Sequence, residues 1–383
     1  MALHFERSEF DQRLARARAA IAASDLDGML LFQQESMYYL TGYDTFGFCF
    51  FQCLYLGTDG SLALLTRSAD LRQAQHTSLL DDIRIWTDRA DASPAAQLRE
   101  MLDDLGARGK RLGVEYASYG LTAANGKALD AALEGFCTLS DASHLIDRLR
   151  VVKSEAELAY VRKAGELADT ALHAALAETS AGADEGDILA AMQGAIFAGG
   201  GDYPGNEFII GSGRDALLCR YKAGRRKLSE QDQLTLEFAG AYRHYHAALM
   251  RTVVIGEPDP RHQHMHATCR DALQACETAL VAGSTAGAVF DAHARVMDDA
   301  GMSAHRLNAC GYSLGAKFTP SWMDWPMFYH GHDVVLEAGM VFFAHMILMD
   351  SDSGYAMTLG RSYIVRDGAP EPLSQAPLGL LLR

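Results

Sequence analysis

The sequence predicts an α/β amino-terminal domain, residues 1–150, followed by an α+β domain with a curved antiparallel sheet, residues 151–383. Three observations carry this. The first hundred and fifty residues alternate helical and strand periodicities. The pattern breaks near Leu149–Lys153, where a long helix opens on a capping box. The rest joins helices to glycine-punctuated strands. A length of 383 residues also exceeds what one hydrophobic core ordinarily serves.

In order, Phe10–Ala23 is an amphipathic helix, and GMLLF from Gly28 is a short buried strand. SLALLTR, after the turn TDG, is another strand. AAQLREMLDDLG is a helix closed by Gly106, and RLGVE is a strand. The long helix runs from Ser154, its N-cap, with Glu157 completing the capping box. Further helices are expected at Glu185–Ala198, Arg261–Ala282 and Ala288–Ala300. The strands between and after them are EFIIGSG, QLTLEFAG, AYRHYHAALMRTVVIG, GMVFFAHMILMD and GRSYIV.

The composition, 49% hydrophobic and 22% charged, is that of an ordinary globular protein. A net charge of -15 repels nucleic acid and anionic membrane, so neither is expected as a partner. No apolar run is long enough to span a bilayer, and the charged, helical start lacks a signal-peptide core. The seven cysteines are scattered and free of CxxC spacing, so neither a disulfide framework nor a zinc knuckle is expected. Reduced thiols in the cytoplasm are the reading.

LTLEFAGAYRHYHAALMRT, Leu234–Thr252, reads as two strands around a turn, with Glu237 where the first strand meets the turn. A carboxylate inside an apolar strand is either paired or functional, because unpaired burial is costly; pairing with Arg251 or Arg243 is the alternative to catalysis. YRHYHAA puts His244 and His246 on one strand face at period two. HGHD at His330–Asp333 reads as a loop, and HQHMH at 262–266 as a solvated helix face. GGGDYPGNEFIIGSGRDALLCRY, 199–221, is dense in glycine but enters a strand rather than a helix, which rules out a phosphate cradle. It suits close backbone approach to a small ligand, with Asp202 and Tyr203 at its centre. Arg220 is either a bidentate clamp for a substrate carboxylate or a partner of Glu207 or Asp215. Tyr312, in the turn-rich NACGYSLGAKFTPSW, is a donor to a developing oxyanion or a turn filler.

Together these segments resemble the pita-bread family of methionine aminopeptidases, prolidases and creatinase. Tyr39-Leu-Thr-Gly42 is similar to its amino-terminal "YLTG", and LRVVKSEAELAYVRKA (Leu149–Ala164) to its linker helix. LEAGMVFFAH is similar to "l-e-p-G-M-v-f-t-i-E", and Leu234–Thr252 to the "D-f-G … s-D-i-t-R-T" hairpin. The family holds two metal ions with two aspartates, a histidine and two glutamates. Those positions fall here at Glu237, Ala248, Tyr312, His345 and Leu359 or Gly360. Glu237 and His345 are too few for a two-metal site, so neither metal nor any other cofactor is expected.

Within the family the resemblance to ectoine hydrolase is closer, through LEFAG, HYH, GYSLG and GGDYP. It implies metal-independent hydrolysis of a C–N bond in a small zwitterion, with Glu237 as nucleophile or base. His246 and His345 are then proton shuttles, Tyr312 and the Gly211–Gly213 backbone oxyanion donors, and Arg220, Asp202 and Tyr203 substrate contacts. The resemblance further implies a homodimer in which Tyr43, Phe46 and Phe48 cap the neighbour's pocket. Two other readings stay open: a catalytically inactive family member that binds a protein, and an Xaa-Pro dipeptidase-like enzyme with a metal site rebuilt from His244, His246, His330, His332 or His345.

Overall fold

A computed structural model describes residues 3–220 and 226–383; Tyr221, at the end of the glycine-dense stretch, lies outside them. The chain divides into two compact units, Met1–Arg150 and Val151–Arg383.

In the first unit six strands form one mixed sheet, in the order Asp82–Trp86, Leu62–Arg67, Cys53–Gly57, Gly28–Leu31, Arg111–Val114, Thr138–Asp141. Gly28–Leu31 runs parallel to Arg111–Val114 and antiparallel to Cys53–Gly57. Alternation puts Met29 and Leu31 into one core and Leu30 and Phe32 into the other. The TDG turn joins a hairpin, Cys53–Gly57 with Leu62–Arg67, whose first strand βα alternation alone did not reveal.

The YLTG stretch ends the helix Gln34–Thr41, closed by Gly42 at φ 80, a left-handed cap that glycine adopts without strain. Glu115 caps that helix from across the unit. Its Oε2 accepts from the backbone N–H groups of Phe32 (2.9 Å) and Gln33 (2.8 Å), and its Oε1 from the Ser36 hydroxyl (2.6 Å). Tyr43 corrects an expectation. The turn at Gly42 sends the chain back into the core, and Tyr43 is enclosed there, its hydroxyl between Thr66 (3.3 Å) and Gln52 (3.4 Å). Phe48 is also buried; Phe46, 80% exposed, is the ring of the three that faces outward.

The second unit is α+β. Its main sheet runs Asp324–Met327, Gly311–Ser313, Val341–Asp350, Tyr355–Ile364, Tyr245–Ile255, Asp232–Tyr242, Ile209–Ser212, each antiparallel to the next. Two short strands, Glu371–Pro372 and Leu381–Leu382, join it from the side. The helices are Glu155–Glu178, with both halves of the capping box at Ser154 and Glu157, then Glu185–Ala198, Pro260–Ala279 and Ala286–Asp299. The last two bury Leu273, Cys276, Val289 and Met297 in one core with Phe342, Met346 and Leu359 of the sheet. Burial of side chains of this size contributes about 1.5–3 kcal/mol each. Among the described residues no helix is long and apolar enough to cross a membrane.

The hairpin Asp232–Ile255 departs from expectation twice. Its turn is the pair Arg243 (φ 51) and His244 (φ 64), closed by Tyr242 opposite Tyr245. Two successive left-handed residues match the strand twist, although Asn-Gly is the usual choice; Asp202 steadies the turn by accepting from the His244 backbone N–H at 3.1 Å. Glu237 therefore lies in mid-strand opposite Met250, not beside the turn. His244 leaves the strand altogether and stacks on Phe318, ring centroids 4.2 Å apart, so it shares no strand face with His246. The HQHMH stretch is not uniformly solvated. His262 is buried against Gln233 (3.0 Å) and His266 bonds the Leu378 carbonyl (3.0 Å).

Candidate active site

Strand register draws the site. Ile209, Glu237, Met250, Gly360 and His345 are successive cross-strand partners, so their positions share one sheet face. Tyr312 pairs with Phe343, two residues before His345 and so on the same face. Glu237 is the one carboxylate of this row.

Glu237 is 8% exposed. Burial pushes its carboxyl up to about 7, against the Tyr312 hydrogen bond and the Arg220 charge, which pull it down. The ionised form that a base or nucleophile needs is then reached close to neutrality. The pairing alternative is not realised. Arg251, opposite Leu236, belongs to the other sheet face and donates to the carbonyls of Met250 (2.8 Å) and Gly360 (2.7 Å).

Tyr312 stands on the short strand Gly311–Ser313 rather than in a turn. Its hydroxyl donates to Glu237 Oε1 at 3.2 Å and accepts from Trp322 Nε1 at 2.8 Å. Burial, then the neighbouring Glu237 charge, raises the phenol well above its ordinary value. The hydrogen bond expected to serve a substrate oxyanion is given to Glu237 in this state.

Neither histidine is the near-neutral shuttle expected. Burial lowers His345 to about 3 and His246 to about 4, so both are neutral imidazoles at working pH. His246 is also occupied: Nε2 accepts from the Gly205 N–H at 2.9 Å, and Nδ1 lies 3.4 Å from the Gly315 carbonyl. The backbone donor at Nε2 leaves the ring proton on Nδ1, and the side chain clamps two loops together. His345 lies with its ring 5.6 Å from Tyr312 and 5.4 Å from Phe343, and among the described residues its Nδ1 has no hydrogen-bond partner. His293, from the helix Ala286–Asp299, is a buried neighbour whose charge bears on His345; burial lowers it to about 4.

Arg220 is exposed, with Nη2 4.0 Å from Met323 Sδ, and its charge reaches Glu237, Tyr312 and His345. Asp202 serves the hairpin turn, and Tyr203 is 80% exposed against Phe197. Within Gly211–Gly213 the Ser212 N–H is taken, donating to Glu185 at 2.8 Å, and the Gly213 carbonyl accepts from Gln233 at 2.8 Å. His330 pairs with Asp291 at the surface (2.8 Å), and His332 packs on Tyr329.

Sequence reasoning missed Trp322 and His293. The first sits in an irregular loop with no periodicity to read. The second was legible, since His293 falls on the apolar stripe of Val289, Phe290 and Met297.

The residues at the five metal-ligand positions do not fit a two-metal centre. Glu237 and His345 carry donors, Tyr312 is a bonded phenol and Ala248 is a methyl. Of the two candidates for the last position, Leu359 is an alkyl side chain, and at Gly360 even a Cβ would meet the Phe343 ring at 2.6 Å, so the space for a carboxylate is filled. Among the described residues no group of three or more His, Cys, Asp or Glu side chains is placed to hold a metal ion.

Comparison with known proteins agrees with this architecture. Residues 159–367 match metallopeptidase family M24, and residues 13–152 match the creatinase/prolidase N-terminal domain. An uncharacterised hydrolase/peptidase of Sinorhizobium fredii is 28% identical over 393 residues, covering 100% of this chain and 99% of the relative. The ectoine hydrolase of Halomonas elongata is 26% identical over 405 residues, with coverage of 100% and 99%. A dipeptidase structure from Pyrococcus horikoshii superposes with a TM-score of 0.85 at 22% identity, covering 97% of this chain and all of that one. A Thermococcus sibiricus prolidase gives 0.88 at 18% identity, covering 98% and 99%. At such identities the solved structures establish the shared fold.

Proposed function

The chain belongs to metallopeptidase family M24, a family of hydrolases, and from that premise we propose a metal-independent hydrolase of the C–N bond in a small amino-acid-like or cyclic amidine compound, ectoine being the leading case. The observation that carries the reading is Glu237: a buried carboxyl lifted to about 7, bonded by Tyr312, on a sheet face whose other ligand positions cannot complete a two-metal set. Full-length similarity to an ectoine hydrolase supports the substrate class.

Glu237 attacks the acyl or amidine carbon through one carboxylate oxygen. The C–N bond breaks, the leaving nitrogen takes a solvent proton, and water then opens the adduct to return the free carboxylate. His345, neutral, accepts a hydrogen bond at the site rather than donating a charge, and Arg220 meets the substrate carboxylate. The reading includes a homodimer in which exposed Phe46 reaches the neighbour's pocket.

Elemental analysis of protein purified without chelator, with mass spectrometry after incubation with ectoine, tests the reading. No transition metal and a substrate-derived adduct on the Glu237 peptide are expected. A stoichiometric transition metal would overturn metal independence and favour the dipeptidase reading. Turnover without any adduct, even in rapid quench, would reduce Glu237 to a general base.

A further inference from the structure

Three contacts fix Trp322. Its indole N–H donates to the Tyr312 hydroxyl at 2.8 Å, and its backbone N–H donates to Asn206 Oδ1 at 3.1 Å. At Gly205 a Cβ would meet the Trp322 backbone nitrogen at 2.8 Å, so the two segments lie in direct contact and only glycine fits. Gly205 is itself held by His246. The indole ends up 1% exposed, its direction set by the loop around Asn206 rather than by the sheet.

An indole N–H only donates. A phenol oxygen that receives it cannot return its own hydrogen along the same line, and the acceptor in reach is Glu237 Oε1, at 3.2 Å. Among the described residues no hydrogen bond reaches Oε2. We propose that Trp322 is a positioning residue: it orients the Tyr312 hydroxyl so that its hydrogen rests on Oε1 of Glu237, leaving Oε2 as the oxygen that performs the chemistry. The inference rests on the proposed role of Glu237 and adds which of its two oxygens acts and what selects it.

Among the described residues, the groups that bear on Glu237 are few. Tyr312 comes from the strand Gly311–Ser313 and Arg220 from the segment after Leu217, where the Cys219 thiol in turn feels the Glu237 charge; the neutral His345 stands on the same face of the sheet. A hydrogen bond to the ionised carboxylate favours that form. Loosening the phenol therefore raises the pH at which Glu237 ionises, whereas a tryptophan that merely fills space leaves that midpoint alone.

The test needs no substrate. Protein carrying 13C at glutamate side-chain carboxyls is titrated by NMR, and the Glu237 resonance is the one lost in Glu237→Gln. Near-neutral titration is expected in the wild type. Tyr312→Phe should raise the midpoint by about 1–2 pH units, the worth of one hydrogen bond to a charged group. Trp322→Phe should raise it by roughly half as much, and Trp322→His, which keeps a ring N–H, should hold the wild-type midpoint. Asn206→Ala, which removes the tether and spares the indole, should shift it the same way by less; it decides the matter if Trp322→Phe fails to fold.

Wild-type midpoints in both Trp322→Phe and Asn206→Ala would overturn the inference, as would a Trp322→Phe shift without any in Tyr312→Phe. If no carboxyl absent from Glu237→Gln titrates between about pH 5.5 and 8.5, the reading of Glu237 itself fails, whatever the tryptophan variants do.

Discussion

Two buried glutamates, one in each unit, face the same cost and spend it differently. Burial lifts Glu115 to about 8 and Glu237 to about 7. Glu115 accepts three hydrogen bonds on its two oxygens and caps a helix. Glu237 receives one, from Tyr312, and leaves its second oxygen without a protein donor among the described residues. A raised carboxyl is thus no mark of function by itself. What separates the two is hydrogen-bonding capacity left unspent, on a sheet face that also carries a phenol and a neutral imidazole.

Paired substitutions sharpen this most strongly. Glu237→Gln should reduce turnover of the identified substrate by on the order of 10⁴-fold or more, as loss of a nucleophile does, while thermal and urea melts at neutral pH show a fold at least as stable as the wild type. Glu115→Ala should do the reverse. It strands two backbone N–H groups and a hydroxyl in the core and opens a cavity, costing about 3–5 kcal/mol. Equal stability losses in both variants would erase the distinction.

Stability against pH offers a second, smaller separation. Glu237 binds its proton more tightly folded than unfolded, so its contribution favours the fold below the unfolded value of about 4.5 and is lost as pH rises through about 7. Glu237→Gln lacks that loss. The variant should therefore gain on the wild type between these limits, by about 3 kcal/mol in all, and run parallel above them. His246, His293 and His345 act with the opposite sign. Their folded values lie below 6.5, so they withdraw stability as pH falls from 6.5 towards 4. They are common to both proteins, and the difference between the two urea series isolates the carboxyl. A constant difference across the range would mean that Glu237 is as solvated as an ordinary glutamate.

The fold was legible because its signals are local and periodic. Ser154 and Glu157 announced the long helix, and alternating apolar runs announced the strands. The residues of the site were legible by kind: Glu237 and Tyr312, which share a hydrogen bond, were both named from the chain. Their roles were not. That His246 is a clamp depends on Gly205, some forty positions away in the chain, and that Tyr312 faces a carboxylate depends on Trp322 in a loop without periodicity. Tyr43 misled for a related reason. Its place beside a recognisable YLTG stretch says nothing of the left-handed turn that returns it to the core.

The smallest effect concerns Gly360, one of the two positions at which the family resemblance would put a late glutamate. Gly360 lies between Met250 and His345 in the cross-strand row that contains Glu237, and its missing side chain is replaced by the Phe343 ring, 2.6 Å from where a Cβ would stand. Gly360→Ala should destabilise the protein by about 1–3 kcal/mol through that overlap. Gly360→Ala with Phe343→Leu should recover part of the loss, because the ring atoms that collide are gone. If the single variant is neutral, the sheet yields easily and a carboxylate at this position was excluded by nothing but its absence. If the double variant recovers, the ring itself closes this position to a late ligand, as the proposed metal independence expects.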